Sequence, residues 1–533
     1  MSYKLSPATS RLLDRHIKAQ KKEINQSEEP VISVDEIAIR VASFYEKIRG
    51  IIDWKGENLL RRSAIERTLR RMILPKISLG ENKQGENLVT ELIRSGHFPN
   101  DTIPEKKIEE IEKVLDKYFF LLRNAPKKEE GSLNGYQWIT SIAACEIEEV
   151  LSGTVKEREL IEYMHSQMKD RIKIEGENFN EIPKEKRNLP LHIAIQKALF
   201  DLDEPIITYH LLKYIHPNWN TLKEEELEEI SENLFKIKRK IEDYFTHPLT
   251  VKFLNLSKKY NTPYLLIGDI LKENPKNIKE HFSDPQRLET LIKKSYKERE
   301  RTLKSRLSRA AVYATLSIFI TNVAALYLLE IPLAGLMDRP FPFEAMTVTI
   351  LVPTLLMALL VISINPPPEK NLSKVLIETI KIVYKREKED LYRVKESQKR
   401  GMISNLFINL VYFGSFAITL IFIIWGLTIA NFPPLSYLIF IIFLSLISFA
   451  GMKIREGAKE LHMIEEEETF FNAIFDIFAI PVIRTGKWLT LRWKKYNLIS
   501  IFFSALIDMP FMTFVKFIEQ WRRFLKEKKE DIY

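Results

Sequence analysis

The chain has 533 residues, a formal charge of +9 and one cysteine, Cys145, which excludes an intrachain disulfide framework and a cysteine-rich zinc site. Leu, Ile, Lys, Glu and Arg dominate and glycine is scarce, 17 in all, a mixture that favours helix over sheet. A chain this long holds more than one folding unit, and its basic balance suits an anionic membrane surface or nucleic acid without choosing between them.

Residues 1–30 are polar and lack the apolar stretch of a cleavable signal peptide, so they read as a disordered N-terminus. Residues 31–290 read as a helical cytoplasmic domain. "SVDEIAIRVASFYEKIRG" opens with a capping box, Ser33 capping and Glu36 reciprocating, followed by the stripe Ile37, Val41, Phe44, Ile48 and Ile52. Similar stripes recur in "IPEKKIEEIEKVLDKYFFLL", "NGYQWITSIAACEIEEVL" and "LEEISENLFKIKRKIEDYF", separated by Pro- and Gly-bearing breaks. A fragment ending near Phe282 is therefore expected to fold alone.

"ENLLRRSAIERTLRRMI" places Arg61, Arg62, Arg67, Arg70 and Arg71 on one helix. They make a candidate basic patch for lipid phosphate, nucleic acid or an acidic partner; the plainer reading is a solvated face, partly neutralised by Glu57 and Glu66. No aromatic residues interleave, so base stacking and nucleic acid are not indicated. Further on, "EYMH" sets Glu162 and His165 at i, i+3, half of a di-iron motif whose other half is missing, so both read as exposed polar residues. His192, His210 and His216 lie close in sequence but match no metal-ligand spacing. With no Walker loop, dinucleotide fingerprint, G-x-S-x-G or H-E-x-x-H, no catalytic residue, cofactor or metal is assigned.

"SDPQRLE" reads as a helix start, Asp284 capping and Pro285 at the first helical position. No breaker follows until Pro332, so one helix is expected to run from the domain into the first membrane span. A span needs about 20 mostly apolar residues. Four stretches qualify: 310–329, 345–364, 403–430 and 435–452, within a transmembrane region of 291–452. Lys and Arg crowd the approach to the first span and the 365–402 loop, while "EIPLAGLMDRPFPF" and "NFPP" carry one basic residue between them. The bias of cationic residues toward the cytoplasm places both termini there, in an inner membrane. The spans hold only mild polar residues, among them Asn322, Thr349 and Asn405, and small ones such as Gly414 and Gly451, which suit helix packing.

Residues 453–533 read as membrane-surface amphipathic helices. Charged residues interrupt the apolar runs 470–483 and 498–515, and letting either run span the bilayer would place a basic segment outside. An in-plane arrangement instead puts Trp488, Trp493 and Trp521 at headgroup depth and Lys494, Lys495, Arg522 and Arg523 on anionic lipid.

The stretches "YEKIRGIIDWKGENLLRRSAIERTLRRMI" and "HPLTVKFLNLSKKY", with the C-terminal "RTGKWL", "LIDMPF" and "FIEQWRRFLKEKKE", resemble a group of polytopic membrane proteins of small-genome, candidate-phylum bacteria. No activity is attached to that group, so the resemblance implies a membrane location and no site residue. The expected fold is all-α: a helical cytoplasmic domain, a four-helix transmembrane region and C-terminal interfacial helices. The expected role is docking or scaffolding at the membrane, with anionic lipids and a protein partner or second copy as partners. A transporter, channel or lipid-handling protein is the first alternative, and a membrane-bound enzyme on lipid or a phosphate-bearing substrate the second.

Overall fold

The computed structural model describes residues 4–25, 30–34, 57–76, 84–126, 132–152, 155–175, 183–273, 277–336, 341–362, 367–385, 391–395, 401–463 and 470–496, with Phe517, Trp521 and Phe524. Among these residues the protein is overwhelmingly helical. The capping box at Glu36 and the stripe from Ile37 to Ile52 lie outside them.

Two cores organise the part before the spans. The first joins helices Glu57–Lys76, Gln84–Arg94, Lys106–Asn124, Ser132–Ser152 and Glu204–Ile215. In Lys106–Asn124 the buried residues Ile111, Val114, Leu115, Tyr118 and Leu121 recur at three- and four-residue steps, which is the periodicity that turns one helix face inward. This core also encloses an ion pair. Lys117 Nζ donates to both Glu146 oxygens at 2.6 and 2.8 Å and to the Trp219 carbonyl at 3.0 Å. Glu146 also accepts from Tyr118 Oη at 2.7 Å and Trp219 Nε1 at 3.1 Å. A buried charge pair is tolerable only when its remaining hydrogen-bonding capacity is met in this way.

The second core draws on distant parts of the sequence. Helices Val155–Met168, Lys184–Phe200 and Pro248–Glu273 meet there with helix Pro7–Asn25. The disordered N-terminus expected from composition is thus corrected: Leu12 and Leu13 are buried in this core, and Thr9 hydrogen-bonds Tyr163 at 2.8 Å. Two adjacent leucines in a polar stretch carry little periodic signal, yet they suffice once a tertiary groove receives them.

Helix Pro285–Ala325 starts as read from the sequence, with the Asp284 side chain accepting from the Gln286 and Arg287 amides. Its first turns belong to the second core through Leu288, Ile292, Tyr296 and Leu303. It then continues through a π-helical turn, Leu326–Glu330, to Leu336. Four helices are long and apolar enough to cross a membrane: Pro285–Leu336, Phe343–Leu360, Met402–Ile429 and Ser436–Leu461. At the end of the spans remote from the second core, Phe341, Phe432 and Phe440 stack edge to face at 5.8–6.1 Å and close a small apolar cluster with Leu326 and Leu427.

The connection between the second and third spans, read from sequence only as a basic loop, is built into the second core. Its helix Glu369–Val383 buries Val375, Ile382 and Val383 there. Strand Tyr392–Lys395 pairs in parallel with Ile172–Glu175, Ile172 opposite Tyr392, and Leu5 bridges Tyr384. With two isolated bridges, Leu5 to Tyr384 and Val31 to Pro104, these strands are the departure from an all-α chain among the described residues. Fully buried Asn371 ties the pieces together. Its amide donates to Tyr296 Oη at 2.9 Å and to the Leu461 carbonyl at 2.7 Å, and its oxygen accepts from the Met463 amide at 2.8 Å. One side chain thus holds the segments that enter the first span, leave the second and leave the fourth.

Candidate functional site

Helix Val155–Met168 places Arg158, Ile161, Glu162 and His165 on one face by their three- and four-residue spacing, and Lys169 follows one turn later. Helix Lys184–Phe200 brings His192 to that face, and Glu204–Ile215 brings His210 and Tyr214. Together these eight side chains line a cavity of about 260 Å³. The His165 and His192 rings meet edge on at 5.4 Å, and Tyr214 lies 5.3 Å from His192.

Gln196, fully buried, bridges two of the imidazoles. As its amide is oriented, Nε2 donates to His192 Nδ1 at 2.7 Å and Oε1 accepts from His210 Nδ1 at 2.6 Å. That assignment sets the tautomers: the His192 proton sits on Nε2, and neutral His210 carries its own on Nδ1. His165 has a backbone hydrogen bond with Asn188, but its Nε2 is buried without a partner. An orphaned buried nitrogen costs about 1–3 kcal/mol, so a partner for it would be stabilising.

Burial, reinforced by Lys169, holds His165 down at about 4. Burial and then its histidine neighbours hold His192 at about 3. Burial also lowers His210 to about 4 against the opposing pull of Glu149, with Arg158 and Lys213 adding smaller lowering contributions. All three are neutral at pH 7. Around them, Arg158 stands 3.4 Å from Glu162 and 3.7 Å from Glu149, Arg15 pairs with Glu162, and Lys213 pairs with Glu149 at 2.9 Å. Among the described residues no group of three His, Cys, Asp or Glu side chains is placed to hold a metal ion.

In the sequence these histidines fall in two unrelated places, His165 beside Glu162 and His192 and His210 with His216. His165 is buried rather than exposed, and it joins His192 and His210. His216 stands apart, its ring 6.2 Å from Trp219. Arg158, Lys169, Gln196 and Tyr214 belong to no sequence motif and join the site only through the fold. The i, i+4 pairs His192 with Gln196 and His210 with Tyr214 were the available signal.

The arginine row is drawn into the fold. Arg62 is buried and bidentate on Asp203, Arg70 pairs with Glu66, Arg71 with Glu91, and Arg61 lies 5.9 Å over the Phe98 ring. Arg67 is engaged as well. In the tail, helix Phe470–Tyr496 packs along the third and fourth span helices. Gly486 faces the Ser445 backbone so closely that no side chain fits, Thr419 Oγ1 reaches the Phe478 carbonyl at 3.4 Å, and Arg484 lies 5.4 Å over Tyr412. Trp488 remains exposed, with Arg492 5.7 Å over its ring. The side chains of Trp493, Lys494 and Lys495, and all of Arg522 and Arg523, lie outside the described residues. Trp521 is half exposed and stacks on Phe517 at 6.3 Å. The chain matches no protein-family model, no curated protein and no solved structure, so the site is read from its own geometry.

Proposed function

We propose that this is a multi-pass inner-membrane protein whose helical domain and both termini lie in the cytoplasm, and that it serves as a membrane-anchored docking platform for a protein partner. The carrying observation is the Asn371 junction: one buried amide joins Tyr296, Leu461 and Met463, so the domain and the bases of the spans share one core. Arg299 adds to it, holding Asp269 at 2.7 and 3.0 Å and Glu460 at 3.4 Å. A domain fixed this way has little orientational freedom to lose when a partner binds, which favours association at a set height above the bilayer. The density of Lys and Arg at the domain end of the spans supports the cytoplasmic assignment, and the exposed Trp488 and Trp521 support a tail that also touches lipid.

One observation favours a transport or lipid-handling role as the second reading. Asn322, Glu330 and Thr349 are buried in the span region with unpartnered polar atoms, and polar groups at that depth commonly mark a pathway. The test joins topology with capture. Reporters after Lys399 and at Tyr533 should behave as cytoplasmic, and one at Gly335 as external. Crosslinking in native membranes, followed by purification of the full chain, should then yield a stoichiometric cytoplasmic or membrane protein partner. An external C-terminus overturns the orientation, and a chain that carries no partner leaves the transport reading in its place.

A further inference from the structure

We propose that the cavity between helices Val155–Met168, Lys184–Phe200 and Glu204–Ile215 binds a small phosphate monoester, with Arg158 and Lys169 taking its charge and His165 Nε2 and His192 Nε2 contacting its oxygens. The inference is independent of the docking role.

Three observations converge on it. First, the cavity, at about 260 Å³, has room for a small organic phosphate and is far larger than a single bound water needs. Second, His165 Nε2 is a buried polar atom on the cavity lining with no partner in the protein. Third, the charges around it favour an anion. Arg158, Lys169, Arg15 and Lys213 outnumber Glu162, Glu149 and Asp170, and Gln196 and Tyr214 add no charge. Lys169 is exposed at the rim, and no carboxylate in the structure forms a salt bridge with it among those described. Arg158 divides itself between two carboxylates at 3.4 and 3.7 Å, longer than its best pairing distance, so a bidentate anion can recruit it.

The arrangement also implies proton uptake. The protein's own groups keep the imidazoles neutral, because burial and then the neighbouring histidines and cations disfavour another positive charge. A phosphate dianion reverses that field. His165 then gains a proton on Nε2 and donates it as a charge-assisted hydrogen bond, while Gln196 keeps His192 Nε2–H as a second donor. A phosphate that is already doubly charged in solution, as at about pH 8, therefore takes a proton from the buffer as it binds.

Titration calorimetry of the full chain in detergent at about pH 8, where inorganic phosphate, the probe, is already mostly the dianion, tests this in two buffers of different ionisation heat. Saturable binding is expected, with an apparent heat that differs between the buffers. Lys169→Gln and Arg158→Gln should each weaken binding about tenfold. His165→Gln should retain binding and lose the buffer dependence. Lys169 is exposed, so its replacement leaves the packing alone; an unchanged unfolding midpoint verifies this for each variant. Competition by glycerol phosphate assigns a soluble ester, and competition only by phosphatidate in mixed micelles assigns a lipid headgroup; either supports phosphate recognition. Absence of saturable binding, or affinity unchanged in both cation variants, overturns the proposal.

Discussion

Three imidazoles set apart in the sequence make the folded protein sensitive to acid. His165, His192 and His210 have folded values of about 4, 3 and 4, against about 6.5 for an exposed histidine. Between those limits the unfolded chain binds more protons than the folded one, so stability rises with pH there and is lost as pH falls. Each pH unit below about 6.5 removes up to about 1.4 kcal/mol per histidine until the folded value is reached. The unfolding midpoint of the purified protein should therefore fall steadily from pH 7 to pH 5, and His192→Gln, which removes the lowest of the three, should flatten the slope. A midpoint that is flat or rises on acidification would show that these rings are not buried neutral. Little of this was legible beforehand. Each histidine sits on a helix whose periodicity fixes its face, but only the packing of three helices brings those faces together, and Gln196 gives no sign in sequence that it lies between two rings.

Local signals performed best at the scale of single elements. The start at Asp284 and the four apolar lengths needed no tertiary information, because a side-chain cap and a continuous apolar run are properties of neighbouring residues. Helix Phe470–Tyr496 shows the limit of such reasoning. Its mixed apolar and basic character suits a lipid headgroup layer, and it suits equally well the flank of an apolar helix. In the structure one side of the helix packs along Met402–Ile429 and Pro434–Ala458, while Trp488 on it stays exposed. Gly486 discriminates, because at its contact with the Ser445 backbone a side chain would have to displace main chain rather than a flexible tip. Cysteines replacing Tyr412 and Arg484, which touch in the structure, should be joined by a short bismaleimide in membranes. Gly486→Leu should abolish that crosslink while the Trp488 face stays accessible. A helix lying free on the lipid surface would give no crosslink in either background.

Over the whole molecule, the division into a separate domain and a membrane region is where chain order misled most. A fragment ending near Phe282 looked self-sufficient because its helices are individually amphipathic. The first core supports that expectation, since its buried residues run from Ile32 to Ile241 and all lie within the fragment. The second core does not. It also needs Leu288, Ile292, Tyr296 and Leu303 from the helix entering the first span, Val375, Ile382, Val383, Tyr384, Tyr392 and Val394 from between the second and third spans, and Leu461 and Met463 from beyond the fourth. A fully buried side chain of this size contributes roughly 1.5–3 kcal/mol, while a domain's net stability is about 5–15 kcal/mol. Losing twelve such residues, even at the low end and with partial collapse of the gap, exceeds what the remaining contacts can hold. The fragment should therefore divide into a folded part and a loosened one. Hydrogen exchange should find the amides of Lys106–Asn124 and Ser132–Ser152 protected, and those of Pro7–Asn25, Val155–Met168 and Pro248–Glu273 exchanging far faster than in the full chain. Uniform protection across both sets would mean that the second core closes without its membrane-proximal segments, and the coupling assigned to Asn371 would lose its structural basis.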